Sequence, residues 1–350
     1  MRHPDRLSLA PDYAKALGIL LVVVSHIMRG LQRSDLLVFD PTWQAVDWAL
    51  YLYHMPLFFY ISGLFFAATV ARHGYLGMLK RNAIVLLGPL VVWSYIQVGM
   101  QYAFSGSANI KVTFADLLTA PFPPAQQFWF LGVLFAATVV AGVLPALRAS
   151  RGVQMLAFAA VLVARILLDD WLRAAMEAGP YWFLLGQFVW HFPFLLLGMI
   201  AGNPVVDRGR GHPIAFVALC AGVLWVGSLL AGRNDDLLPL ISIALVLASY
   251  KGFVEFAARQ AEPPGLVSKV LAFVGANSMI IYLTHVIFGA GMRTILIKIG
   301  IFDVGTHFVL GVAAGMICPL VLVPIGLAVE RYAALFGRIA LPVRLGRRAA

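Results

Sequence analysis

Long apolar runs separated by short polar connections divide the chain from end to end. Their approximate limits are 13–31, 46–69, 83–104, 127–147, 153–168, 182–201, 213–231, 237–251, 268–290 and 308–330. Each predicts a membrane helix, because backbone amides in hydrocarbon must bond within their own segment. The fifth and eighth runs are short for a hydrocarbon core of ~30 Å. The longest polar connection, 105–126, is rich in Pro, Gly and Ser and reads either as a cap over an external opening or as a tether. No internal repeat and no linker long enough for a second domain interrupts the pattern. The expected architecture is therefore all-α: a polytopic membrane protein of about ten transmembrane helices in one bundle. It forms a single domain over 1–350, with a core of about 12–330 and a basic C-terminal tail, 331–350.

Composition agrees with this class. Of 350 residues, 61% are hydrophobic and only 12% charged, with a mean hydropathy of +0.87. Soluble domains carry about twice that charged fraction. The N-terminus is basic and then apolar, like a signal peptide, but its apolar part is span-length and lacks a clean small-x-small cleavage site, so a retained first helix is expected. Cys220 and Cys318 lie in separate apolar runs and suggest buried thiols rather than a disulfide framework.

Charge sets the expected orientation. With the N-terminus in the cytoplasm and ten alternating spans, 17 of the 26 basic residues fall in cytoplasmic segments and seven outside, with Lys15 and Arg165 inside spans. This bias follows the positive-inside rule and places both termini in the cytoplasm of a plasma membrane, the inner membrane in a bacterium. It accounts for the net charge of +10 without nucleic acid. The RLGRRAA tail reads as a topology signal and an anchor for anionic membrane lipids.

Against this background the ionisable residues within spans stand out. Asp12, Lys15 and His26 lie on the first run, with eleven positions between the last two. In a helix that is a rise of about 16 Å and a rotation of about 20°, and Asp12 one turn earlier keeps all three within a ~60° sector. Such groups face a bundle interior or a wet cavity. A cation below an imidazole suggests an anion site beneath a proton-handling site; a snorkelling lysine and a histidine bonded to another helix are the alternative. The second run contains YLYHMPLFFYISGLFFA, 51–67, with His54 at a depth similar to His26. Pro56 cannot donate a backbone bond and clashes one turn back, so it frees the carbonyl of Leu52 and kinks the helix beside His54. Ser62 and Gly63 permit close approach of another helix.

These strings resemble a known family. The first run is similar to the D-x-x-[KR]…VVxxH signature of the acyltransferase-3 membrane proteins, and 53–66 to their FHMPLFFxxSGxxF signature. The likeness continues through LKRNAIVLLGPLVVW (79–93), FWFLGVLF (128–135), FPFLLLGMIAG (192–202) and GANSMIIYLTHV (275–286). Within that family the chain more closely resembles the group often described as fucose 4-O-acetylase-like. The resemblance implies a ten-helix membrane enzyme that moves an acyl group, often acetyl from acetyl-CoA, onto a hydroxyl of a glycan or lipid-linked sugar. It implies donor contacts from Lys15 and Arg81, with Lys80 and Arg72 beside them, although positive-inside topology also explains the last two. Many relatives have arginine at the position of Lys15; lysine keeps the charge but loses the bidentate fork.

The resemblance makes His26 the candidate general base or acyl carrier, since imidazole titrates near working pH and such catalysis is worth about 10²–10⁴-fold. His54 is the second catalytic candidate. His191 and His285 either orient His26, bind sugar hydroxyls or serve the fold. Ser278, Tyr282 and His285 follow i, i+4, i+7 spacing and line either an acceptor wall or a helix-packing ladder. Trp129 either stacks on a sugar or belongs to the interfacial aromatic belt. Arg165 is expected to snorkel outward towards Asp169 and Asp170. No metal-binding, Walker or dinucleotide signature is present, so acyl-CoA is expected as a co-substrate, with no permanently bound cofactor and no metal. A proton-coupled transporter or flippase of a small polar or glycolipid substrate is the competing class, compatible with the same spans and buried groups.

Overall fold

The computed structural model describes residues 8–38, 40–104, 112–124, 126–143, 150–202, 238–260, 264–332 and 339–343. Among them every regular element is helical: α1 (Ala10–Gln32), α2 (Pro41–Tyr51), α3 (His54–Leu64), α4 (Phe66–Asn82), α5 (Gly88–Ala103), α6 (Phe114–Thr119), α7 (Trp129–Val143), α8 (Arg151–Leu167), α9 (Asp169–Glu177), α10 (Pro180–Ala201), α11 (Leu238–Ala258), α12 (Leu266–Ala276), α13 (Ser278–Lys298) and α14 (Val304–Tyr332). A π-helical turn, Ala83–Leu87, joins α4 to α5, and a 3₁₀ turn, Gln126–Phe128, leads into α7.

The protein is an all-α polytopic membrane protein. Among the described residues seven stretches are long and apolar enough to cross a bilayer: α1, the α4–α5 run, α7 with its leading turn, α10, α11, α13 and α14. The α8–α9 pair, bent by 69°, makes an eighth if it is one broken span. This is fewer than the ten expected. The expected seventh run, 213–231, and Cys220 lie outside the described residues.

Three other expectations change. The second apolar run is not one helix: it is distributed over α2, α3 and the start of α4. Pro56 is the physical cause, since it cannot bond the carbonyl of Leu52, and that carbonyl is instead capped by the hydroxyl of Ser242 on α11. The expected connection 70–82 is helical, interrupted only at Gly74, where φ is 67°. The ninth run breaks at Asn277, whose side-chain amide donates to the carbonyl of Phe273 at 2.9 Å and closes α12. Helix α13 then starts afresh and extends to Lys298. The polar connection after α5 likewise contains structure: α6 carries a capping box in which the Asp116 backbone N–H donates to Thr113 Oγ1 and Thr113 N–H to Asp116 Oδ2.

The chain forms two compact units. Unit one comprises Met1–Leu50, Val91–Pro121 and Phe256–Ala350. Its centre is α1, which packs against α12, α13 and α14. Pro11 in the first turn presets the backbone, and Asp12 complements the positive N-terminal end of the helix dipole. The backbones of α1 and α12 meet at Gly275, where any Cβ would fall 1.7 Å from the carbonyl oxygen of Asp12. Only glycine fits there. The hydroxyls of Tyr13 and Ser268 bond across the same contact. Part of the C-terminal tail also packs in this unit, with Trp93 Nε1 donating to the carbonyl of Ala340 at 2.7 Å. The tail arginines Arg344, Arg347 and Arg348 lie outside the described residues.

Unit two comprises Tyr51–Leu90 and Phe122–Glu255. Its centre is the crossing of α3 with α10, flanked by α7, α8 and α9. At the crossing Gly63 faces Gly198: a Cβ on Gly63 would lie 2.1 Å from the carbonyl oxygen of Leu195, and one on Gly198 would lie 2.1 Å from that of Tyr60. Lipid offers no hydrophobic advantage to helix association, so this backbone-to-backbone contact supplies the dispersion energy that holds the pair.

Candidate active site

In unit one, α1 and α13 bring His26 and His285 together. Their ring centroids are 4.9 Å apart, with the planes at 80°. Each ring is tied by Nδ1 to its own helix. His26 Nδ1 lies 2.9 Å from the carbonyl oxygen of Val22, and His285 Nδ1 lies 2.8 Å from that of Tyr282 and 3.1 Å from that of Ile281. A carbonyl oxygen only accepts, so in both rings Nδ1 carries a proton, and in the neutral imidazole Nε2 carries the lone pair. His285 is fully buried, and its Nε2 has no protein partner among the described residues. Ser278 and Tyr282, buried on the same helix, extend the wall that ends at His285. All three residues of the expected i, i+4, i+7 stripe are thus buried, as are Ile280, Ile281, Leu283 and Thr284 between them.

At the other end of α1, Lys15 Nζ lies 2.5 Å from Asp12 Oδ1, and both residues are partly exposed. The ion pair is the i, i+3 contact that the spacing implies. On the far side of His26, Asp47 of α2 accepts from Arg29 at 2.7 Å and from Ser25 at 2.7 Å. Neither Arg29 nor Asp47 was expected to belong to a network. Eighteen positions separate them, and no helical period links residues on two elements.

In unit two, His54 opens α3, fully buried, with its ring 4.7 Å from that of Tyr51. His191 repeats the pattern of the other two histidines, with Nδ1 2.8 Å from the carbonyl oxygen of Gln187. It stacks on Phe59 at 5.1 Å and meets the indole of Trp129 at 5.4 Å. Trp129 is buried in this aromatic cluster, with its ring also 6.3 Å from that of Phe130 and 6.1 Å from that of Phe183. Arg72, Lys80 and Arg81 all lie exposed on α4, the last two in its final turn.

Arg165 departs from expectation. Its guanidinium donates to the carbonyl of Trp190 at 2.9 Å and lies over the rings of Trp190 and Phe194, at 6.0 and 5.9 Å from their centroids. It does not reach outward to an aspartate, because Asp169 is already bonded to Arg173 at 2.6 Å. The bend after Leu167 directs α9 and its acids away from the axis of α8.

Comparison with known proteins defines the class. The acyltransferase domain family matches residues 8–324, and the chain belongs to this acyltransferase-3 family. It is also similar to two curated proteins called nodulation protein NolL. The match to that of Sinorhizobium fredii is 28% identical over 128 residues, covering 36% of this chain and 33% of the relative. The match to that of Mesorhizobium japonicum is 27% identical over 139 residues, covering 39% of this chain and 35% of the relative. The chain thus spans about a third of the length of the curated relatives it matches. No solved structure matches it.

Proposed function

We propose that the protein is a membrane O-acyltransferase that moves an acyl group, acetyl in the simplest case, from acyl-CoA to a hydroxyl of a glycan or lipid-linked sugar. The observation that carries this reading is the His26–His285 pair, with both Nδ1 protons held by backbone carbonyls and both lone pairs on Nε2. An alcohol attacks a thioester slowly until a base takes its proton. His26 Nε2 removes that proton as the hydroxyl oxygen attacks the thioester carbon. The C–O bond forms, the C–S bond breaks, and the imidazolium returns the proton to the departing CoA thiolate. The Val22 carbonyl keeps the ring in the tautomer this requires and stabilises the imidazolium by accepting the hydrogen bond from Nδ1–H throughout.

In this reading Lys15 of unit one serves the donor; Arg72, Lys80 and Arg81, which the family resemblance also assigns to the donor, lie on α4 of unit two. The membrane is the plasma membrane, the inner one in a bacterium, with both termini in the cytoplasm where acyl-CoA is made. Purified protein in detergent, given acetyl-CoA and a glycan acceptor, should release free CoA with time and transfer label to the acceptor. Counterflow of a polar solute in proteoliposomes without consumption of CoA would instead assign the chain to transport.

A further inference from the structure

A second concentration of charge lies beyond the histidine pair in unit one. Arg33 is seven positions past His26 on the α1 side, a rise of about 10 Å with a rotation of only about 20°. Arg293 is eight positions past His285 on α13, a rise of about 12 Å. The two helices converge there, because the bare backbone of Gly30 lets the Arg293 guanidinium lie over it: a Cβ on Gly30 would fall 2.7 Å from Nη1. Arg33 lies one turn past Gly30, so the Arg293 guanidinium lies within a helical turn of the backbone that carries a second, solvent-exposed cation.

Neither Asp47 of α2 nor Asp35, two residues past Arg33, forms an ion pair with them. Both oxygens of Asp47 are held by Arg29, at 2.7 to 3.1 Å, and Oδ1 also accepts from Ser25. Among the described residues, the side chains of Arg33 and Arg293 have no hydrogen-bond or ion-pair partner. Like charges carried on neighbouring helix turns repel, and the orientation expected from the charge bias puts them on the side where cations are disfavoured. An anion between them would relieve the repulsion, and the guanidinium fork matches phosphate and carboxylate oxygens in pairs.

We infer that Arg33 and Arg293 form an anion subsite, placed about 10–12 Å along the helices from the histidine pair, that holds a phosphate or carboxylate group of the acceptor. This rests on the acyl-transfer reading, and it makes the acceptor an acidic or phosphate-bearing molecule whose reacting hydroxyl lies some 10 Å from its charge.

Inorganic pyrophosphate is a suitable probe, titrated into the full chain in nanodiscs of phosphatidylcholine. Wild type should bind it saturably, and pyrophosphate should inhibit transfer in competition with the acceptor but not with acyl-CoA. Arg293→Gln and Arg33→Gln should each weaken its binding roughly ten- to hundredfold while leaving the circular dichroism spectrum unchanged and the melting temperature no lower than that of wild type, and Arg293→Lys should retain part of the affinity. Equal affinity in wild type and in the folded Gln variants overturns the subsite. In nanodiscs containing phosphatidylglycerol, retained pyrophosphate binding supports an acceptor group. Displacement by the lipid assigns the arginines to headgroups and overturns the acceptor assignment. CoA release that depends on His26 without Arg-dependent pyrophosphate binding removes the subsite alone. Arg-dependent binding in a protein that never releases CoA removes the enzyme reading instead.

Discussion

Ser242 donates its hydroxyl to the carbonyl of Leu52, the group that Pro56 leaves without its helical partner. A buried carbonyl in a membrane protein must find a donor, and α11 brings one from nearly two hundred positions away in sequence. We expect Ser242→Ala to lower stability by about 1 kcal/mol, the usual size of an interhelical hydrogen bond in a membrane. Ser242→Thr, which keeps the hydroxyl, should lose less. Thermal unfolding of the purified variants in one detergent measures this. A Ser242→Ala protein as stable as wild type would mean that water already serves the carbonyl.

The freed carbonyl was legible in the sequence, because proline chemistry is local; its partner was not, because Ser242 carries no motif and only packing selects it. The same division runs through the candidate site. Helical period placed Asp12, Lys15 and His26 on one face, and Asp12 and Lys15 do meet. The family strings singled out His26 and His285 separately, whereas the 4.9 Å approach of their rings depends on how α1 and α13 pack. Arg29 and Asp47 were invisible for that reason. Apolar character did not reveal the break at Leu52–Tyr53, which divides the second expected span, or the one at Asn277, which shifts the start of the ninth. Those breaks are made by hydrogen bonds from Ser242 and from the Asn277 side chain.

Asp303 offers a pH test outside the membrane-spanning segments. It precedes α14, and its carboxylate accepts from the backbone N–H of Thr306 at 2.7 Å. That bond is the first cause of a carboxyl pKa below the ordinary aspartate value, with the Thr306 side chain next. A depressed folded pKa means that ionised Asp303 contributes stability above the unfolded value, near pH 4, and loses it as pH falls through the lower folded value. Asparagine caps a helix comparably but does not titrate there. The melting temperature of wild type minus that of Asp303→Asn should therefore be constant from neutral pH down to about 4 and shift against wild type below it. A difference that stays flat through pH 3 would deny the carboxylate its capping role.

For the histidine pair we expect His26→Ala to reduce turnover by roughly 10²–10⁴-fold with little change in expression or unfolding temperature. The Val22 carbonyl keeps its helical bond when the imidazole is gone, so the fold loses only a side chain. His285→Phe keeps a ring in the buried position but removes the Nε2 lone pair. If His285 positions the His26 ring by packing alone, this variant retains kcat. If its lone pair shares the proton, kcat falls while KM for both substrates stays near wild type. Steady-state kinetics over a range of pH decides it, because loss of the base also removes the rising limb of the profile. A folded His26→Ala enzyme with near wild-type kcat would take the imidazole out of the mechanism.

Lys15 has two possible employments, and its observed pairing with Asp12 at 2.5 Å makes them separable. As a structural partner, its charge would only neutralise the carboxylate. Lys15→Met would then leave Asp12 half-buried and unpaired, and Asp12→Asn made in the same chain would remove the damage. As a donor contact, its ammonium would also hold a phosphate or the thioester carbonyl of acyl-CoA. The double variant would then regain stability but not turnover. Loss of a charge-assisted hydrogen bond weakens binding roughly ten- to hundredfold, and we expect donor affinity or turnover of the double variant to fall by that factor. Lys15→Arg, with the cation intact, should retain substantial activity. The check is acyl-CoA titration alongside thermal unfolding on all four proteins. Recovery of both stability and full donor kinetics in Asp12→Asn/Lys15→Met would show that Lys15 serves the helix and not the donor.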